Sequence, residues 1–139
     1  MKILIDTNIL LDVLAKRHPF YASAARIWTL AEKSKISACV SAISFNNVYY
    51  ILRKVGDRHK ARKAISYLRD VFSIIAVDET ILSLAMDSDI IDFEDAIQYY
   101  CARKARVRYL VTRNPSDFPK QEPVAIGADE FLAIISSSK

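Results

Sequence analysis

The chain opens with an apolar run, Ile3-Leu4-Ile5, that stops abruptly at Asp6. Three large aliphatic residues without alternation describe a strand covered on both faces, the kind found inside parallel sheets. Apolar positions at helical spacing follow over residues 9–14. They recur over 20–33, where Ala24, Ile27, Trp28, Leu30 and Ala31 form one stripe. Residues 36–40 predict a second buried strand. Ser41 or Ser44 then opens a helix through Tyr49, Tyr50 and Leu52 that closes at Arg53, Lys54 and Gly56, a cationic last turn followed by glycine. Asp57 caps a helix over 58–70, residues 72–77 predict a third strand, and Asp78 caps a short helix reaching Met86. A helix over 93–106, a fourth strand over 108–112 and a polar loop over 113–119 come next. A candidate edge strand over 123–126, a terminal helix over 129–135 and a frayed tail of three serines and a lysine complete the chain. Strands alternating with helices mean βαβ units. The expected fold class is α/β, a three-layer α/β/α arrangement with a central, mostly parallel sheet of four to five strands in a single domain, 1–139.

Composition narrows the chemistry. Only two glycines in 139 residues argue against a phosphate loop of the Walker or dinucleotide type. Cys39 and Cys101 lie in apolar segments without a C-x-x-C spacing, as core thiols of a reducing compartment do. No apolar run approaches the roughly 18 residues of a membrane span, so no membrane partner is expected and a cytoplasmic location is. A net charge of +4 permits a polyanionic partner without requiring one.

Several polar residues fall where the sheet topology brings segments together. In a parallel sheet, whatever follows the C-terminal ends of the strands opens onto one edge, where such folds bind ligands. Asp6 ends the first strand and serves there either as a ligand or as a helix N-cap. Thr7 and Asn8 are placed to bond its carboxylate or to cap the same helix. Asn47 lies about two turns into the helix after the second strand. Asp95 is in the first turn of the 93–106 helix, with Asp92 three residues earlier as its expected cap. Glu94 lies about 100° round that helix from the Asp92–Asp95 face and is the weaker ligand candidate. Thr112, Asn114 and Asp117 end or follow the fourth strand, though Asn-Pro-Ser-Asp is also turn chemistry. Carboxylates packed together repel and raise one another's pKa, and a divalent cation relieves that. Oxygen-only donors favour Mg²⁺ or Mn²⁺ over zinc, for which no Cys/His cluster exists. His18 and His59 occur in basic segments and read as surface residues.

Taken together these motifs resemble the PIN domain, the nuclease domain of VapC-type toxins. The resemblance rests on Asp6-Thr7-Asn8-Ile9-Leu10, on Ser41-x-x-Ser44-x-x-Asn47, on Asp95-Ala96-Ile97-Gln98 with Ala102, and on Thr112-Arg113-Asn114-x-x-Asp117-Phe118. It covers nearly the whole chain and is strongest to the bacterial branch carrying Asp-Phe-Glu-Asp-Ala and Thr-Arg-Asn-x-x-Asp-Phe. It implies a metal-dependent endoribonuclease for single-stranded RNA, with Asp6, Asp95 and Asp117 as metal ligands and Asn47 and Asn114 at catalytic positions. It also implies a homodimer and an antitoxin partner that covers the pocket. Basic residues beside the acidic cluster would hold RNA: Arg113 first, then Lys16 and Arg17. The Arg58–Lys63 face reads equally well as solvated helix surface, and Tyr49, Tyr50, Tyr99 and Tyr100 as packing residues or as platforms for unpaired bases.

Two departures from the family pattern weigh on that expectation. Asn47 and Asn114 stand where many members carry an acid. An amide oxygen can ligate a cation or hold a water, but it brings no charge and cannot act as a base. One Mg²⁺, completed by substrate phosphate and auxiliary charge from Asp92 or Glu94, is therefore the expectation rather than a tightly held pair. The competing reading is a PIN-fold module that binds RNA or protein with weak or no cleavage. A phosphoacceptor receiver domain is excluded because Thr7-Asn8 follow Asp6 and no Asp ends the second strand.

Overall fold

The apolar run at the N-terminus is covered on both faces. In the computed structural model, which describes residues 1–137, Lys2–Ile5 forms β1, and Ile3, Leu4 and Ile5 are inaccessible to solvent or nearly so. It is the middle strand of a five-stranded sheet ordered β3 (Ser73–Ile75), β2 (Ser37–Ser41), β1, β4 (Tyr109–Val111), β5 (Val124–Ile126). Every neighbouring pair is parallel, as the alternation of strands and helices predicts.

Side chains alternate across a strand, so β1 feeds two cores. Ile3 and Ile5 pack with Leu10, Ile27, Val48, Leu68 and Phe131. These come from α1 (Thr7–Leu14), α2 (Tyr21–Glu32), α3 (Ala42–Val55), α4 (Arg58–Val71) and α7 (Ala128–Ser137). Leu4 faces the opposite layer, with Ile81 of α5 (Glu79–Asp87) and Ile97 and Ala102 of α6 (Phe93–Lys104). The result is the expected α/β/α layering. Cys39 and Cys101 are buried, free thiols of the second core.

Aspartate caps punctuate the chain. Asp57, Asp78 and Asp92 each accept from the backbone N–H three residues on, at 2.8, 3.0 and 2.9 Å. Ser41, not Ser44, caps α3, accepting from Ile43 N at 3.2 Å. The elements differ from expectation mainly at their ends. The third strand keeps only Ser73–Ile75, because it is an edge strand paired on one side and Phe72 turns inward against Trp28 (ring centroids 5.0 Å apart). Helix α1 starts at Thr7 because Asp6 both ends the strand and caps the helix. Helix α7 runs through Ser137, so Ser136 and Ser137 are not the frayed tail expected there, and the last two residues lie outside the described ones. Among the described residues no helix is long and apolar enough to cross a membrane.

Candidate active site

After β1 the chain crosses to β2 on one side, while β4 lies against the other side of β1. The crevice between the ends of β1 and β4 is therefore the switch point where open α/β sheets place ligands. Asp6 sits in it, 4% exposed. Its Oδ1 accepts from Thr7 N at 2.8 Å, and its Oδ2 accepts from the Thr112 hydroxyl at 2.8 Å. Both roles expected for Asp6 are thus open to it at once, since one carboxylate oxygen caps α1 and the other faces the end of β4.

The loop after β4 continues this chain of bonds. Thr112 Oγ1 lies 3.2 Å from Asn114 Oδ1, and Asn114 Nδ2 donates to Asp117 Oδ2 at 2.6 Å. Asn114 precedes the single 3-10 turn Pro115–Asp117, which holds Asp117 on the surface of the crevice. From the other layer α6 brings its N-terminus. Asp92 is the N-cap and Asp95, at the third helical position, is half-buried. A cleft of about 640 Å³ opens beside it, with Asp92, Asp95, Asp117, Ile91, Tyr100 and Pro119 among its walls.

The electrostatics follow from this crowding. Burial pushes the Asp6 carboxyl up to about 6; the charges of Glu94 and Asp92 add to the rise, and the bonds from Thr112 and Thr7 oppose it. Burial likewise pushes Asp95 up to about 7, helped by Asp6, Asp92, Asp117 and Glu94 in that order. None of these five carboxylates has a lysine or arginine in ion-pair contact among the described residues. A cluster of like charges without a counter-charge is the environment a divalent cation relieves. No three His, Cys, Asp or Glu side chains of the described residues are already gathered closely enough to cage a metal. The donors around the crevice are all oxygens, the kind that suits a Mg²⁺-type ion, which keeps most of its waters and takes one or two carboxylates.

Other expected site residues are placed differently. Asn47 is half-buried on α3, one turn beyond Ser44, and its side-chain amide has no hydrogen-bond partner among the described residues. Asn8 is exposed, and its Oδ1 accepts from Arg17 Nη2 at 3.2 Å. Lys16 is exposed just past α1. Arg113 and Arg17, expected beside RNA, each direct their charge at a carboxylate of this chain. Both are bound to Asp12, a fully buried carboxylate of α1: Arg17 Nε lies at 3.0 Å, and Arg113 engages both oxygens, through Nε at 3.0 Å and through Nη2. Arg113 also stacks over Phe20, 4.0 Å from the ring centroid. The Asp12 bonds hold its guanidinium above its ordinary pKa. Asp12 escaped notice in the sequence, although a carboxylate inside the run Leu10-Leu11-Asp12-Val13-Leu14 is itself a signal that a buried ion pair awaits it. Gln98, fully buried within the apolar face of α6, carries the same kind of signal.

Comparison with known proteins gives the family and the fold. Residues 2–116 match the model of the PIN domain. The chain belongs to the PIN domain family. The chain is similar to Ribonuclease VapC1 of Aquifex aeolicus (strain VF5), 28% identical over 94% of this chain and 92% of the relative. Solved structures share the fold. VapBC2 from Rickettsia felis, bound to a DNA fragment from its promoter, superposes with a TM-score of 0.69 at 17% identity over 91% of this chain and 98% of that one. A toxin–antitoxin complex from Klebsiella pneumoniae gives 0.67 at 24% identity, over 91% and 97%. VapC20 of Mycobacterium tuberculosis, a toxin that cleaves the sarcin–ricin loop, gives 0.64 at 18% identity, over 78% and 86%. In this PIN domain the acidic crevice lies at the switch point between β1 and β4.

Proposed function

We propose that this PIN domain is a Mg²⁺- or Mn²⁺-dependent endoribonuclease for single-stranded RNA and the toxin of a toxin–antitoxin pair. The observation that carries the reading is the pairing of Asp6 with Asp95, 89 positions apart in sequence. Each is pushed to about 6 or 7 by burial and by neighbouring carboxylates, in a PIN-domain chain 28% identical to a protein named as a ribonuclease. Asp6 and Asp95 would hold the cation, with Asp117 directly or through water. A bound divalent ion would supply charge neutralisation at the phosphate and a lowered pKa for its water.

The chain's own residues set the geometry. Thr112 and Thr7 N–H fix both oxygens of Asp6. Asp92, by capping α6, fixes the backbone that carries Asp95. Asn114 orients Asp117 through its amide. Tyr100, Ile91 and Pro119 offer an apolar wall beside the carboxylates, against which an unpaired base can lie. Exposed Met86, Ile91 and Phe93 around the start of α6 support a surface covered by a second copy or by an antitoxin. The reading places the protein in the cytoplasm, where such a target is found.

The test is cleavage of an unstructured RNA with and without EDTA. Wild type should cut only with the metal, and Asp6→Asn and Asp95→Asn should each lose at least a hundredfold. Equal product from all three proteins would overturn the reading. The uncharged Asn47 and Asn114 favour the alternative of a binding module. RNA retained on a filter but uncut under saturating Mn²⁺ would establish that instead.

A further inference from the structure

A hydrogen-bond chain beneath the crevice points at Glu94, which the sequence offers only as one of two auxiliary charges. Gln98 Nε2 lies 2.8 Å from Ser44 Oγ and 3.2 Å from Thr7 Oγ1. Ser44 Oγ and Thr7 Oγ1 are 2.8 Å apart, and Thr7 Oγ1 is 2.8 Å from Glu94 Oε2. These four contacts need four protons. The Gln98 amide nitrogen supplies two, and Ser44 and Thr7 supply one each. With the amide turned over, its oxygen would face both hydroxyls, and two protons would remain for four contacts. Only the observed orientation satisfies the chain, and it leaves the unpartnered atom at Gln98 Oε1. The direction of every bond is then fixed: Gln98 donates to Ser44 and Thr7, Ser44 donates to Thr7, and Thr7 donates to Glu94.

The helices explain why the chain ends there. Glu94 and Gln98 are four residues apart on α6 and share a face, while Asp92 and Asp95 share the neighbouring one. The first turn of α6 therefore presents a carboxylate on two sides, Asp95 toward the open cleft and Glu94 toward Thr7 and α3. Ser44 and Asn47 are three apart on α3, so Glu94 arrives beside the very helix whose Asn47 carries no charge. Among the charges that act on Asp6, Glu94 acts most strongly.

We infer that Glu94 supplies the negative charge on the α3 side of the crevice in place of Asn47, as part of the donor set for the divalent cation. Thr7, Ser44 and Gln98 are its positioning residues. This rests on the metal-dependent reading above and extends it to a second carboxylate of α6, beside Asp95.

The experiment is Mn²⁺ titration of the full chain by calorimetry, with thermal unfolding in EDTA and in Mn²⁺ as a second readout. Glu94→Gln should weaken Mn²⁺ binding at least tenfold and shrink the Mn²⁺-induced rise in Tm, without lowering the Tm in EDTA. Thr7→Val should weaken binding severalfold, in the range found when partners of ligating groups are removed. Thr7→Ser, which keeps the hydroxyl, should restore it, and adding Thr7→Val to Glu94→Gln should cost little more than Glu94→Gln alone. Binding by Glu94→Gln within twofold of wild type, while Asp95→Asn loses it, would overturn the inference and leave the metal site standing. Equal loss in Thr7→Ser and Thr7→Val would also overturn it. No Mn²⁺ binding by wild type would overturn this inference and the metal-dependent reading together.

Discussion

Replacing Asp6 by Asn should stabilise the metal-free protein at neutral pH, although it removes a central site residue. The Asp6 carboxyl is pushed from 3.8 up to about 6 in the folded chain, chiefly by burial. A group that binds its proton more tightly when folded favours folding while protonated. That contribution is complete below about pH 3.8 and is lost as the pH climbs through about 6. At about 1.4 kcal/mol per pKa unit, the loss above pH 7 is about 3 kcal/mol. Asparagine carries no charge to bury. Its oxygen can still serve Thr7 N–H, and the Thr112 hydroxyl can turn to accept from the new amide, a rearrangement costing about 1 kcal/mol. The net expectation is a gain of about 2 kcal/mol at pH 7.5 and none at pH 4.5. Urea unfolding in EDTA at several pH values measures both proteins, and their difference cancels the other titrating groups. Saturating Mn²⁺ should reverse the order. At a hundred times its Kd, a ligand adds about 2.7 kcal/mol to a protein that binds it, and only wild type should gain this. An Asp6→Asn variant less stable than wild type at pH 7.5 in EDTA, or a difference that does not change with pH, would refute the reasoning.

Other changes test the parts that surround the site. Asp12→Ala strips Arg17 and Arg113 of their shared partner. Those arginine side chains are 35% and 28% exposed and can rehydrate, so the cost in urea unfolding should be about 2 kcal/mol, below that of breaking a fully buried pair. Arg113→Ala, in an Asp95→Asn background that cannot cut, should lower the Tm and leave RNA affinity within twofold at fixed salt; a tenfold loss would restore Arg113 to RNA binding. Thr112→Val removes a bond that lowers the Asp6 pKa, so the carboxyl ¹³C titration of metal-free Asp6 should move above about 6, and a downward move would contradict the geometry. Leu110→Ala, at a fully buried position of the α5–α6 core, should cost about 2–5 kcal/mol in urea unfolding.

The fold was legible because its signals are local and agree with one another. Unalternating apolar runs marked Ile3–Ile5 and the second and fourth strands, and the aspartates before α4, α5 and α6 cap those helices. Boundaries failed where pairing, not propensity, sets the length. The third strand is an edge with one neighbour, so nothing extends its ladder past Ile75. Asp57, Asp78 and Asp92 also show that a capping aspartate and a site aspartate look alike in sequence. What separates Asp92 from Asp95 is the direction of one side chain over a shared turn.

Which residues come near the crevice was legible in the sequence, but which way their side chains turn was not, and Arg113 and Glu94 show why. Arg113 stands between Thr112 and Asn114 at a bend just past β4. Thr112 and Asn114 bond Asp6 and Asp117, whereas Arg113 meets Asp12 and Phe20. Nearness in sequence does not carry a side chain's direction across a bend. Glu94 lies about 100° round α6 from the face of Asp95, which makes it the weaker ligand candidate and an auxiliary charge on helical geometry alone. That angle is a fair measure of where it cannot point, but α6 begins against two walls of the crevice rather than one. Turning away from the open cleft brings Glu94 onto Thr7 and beside α3, the side on which this chain has an amide in place of an acid. A charge missing from one helix can be supplied by the next when both start from the same edge of a sheet, so a site of this kind is better judged by the edge than by any single aligned position.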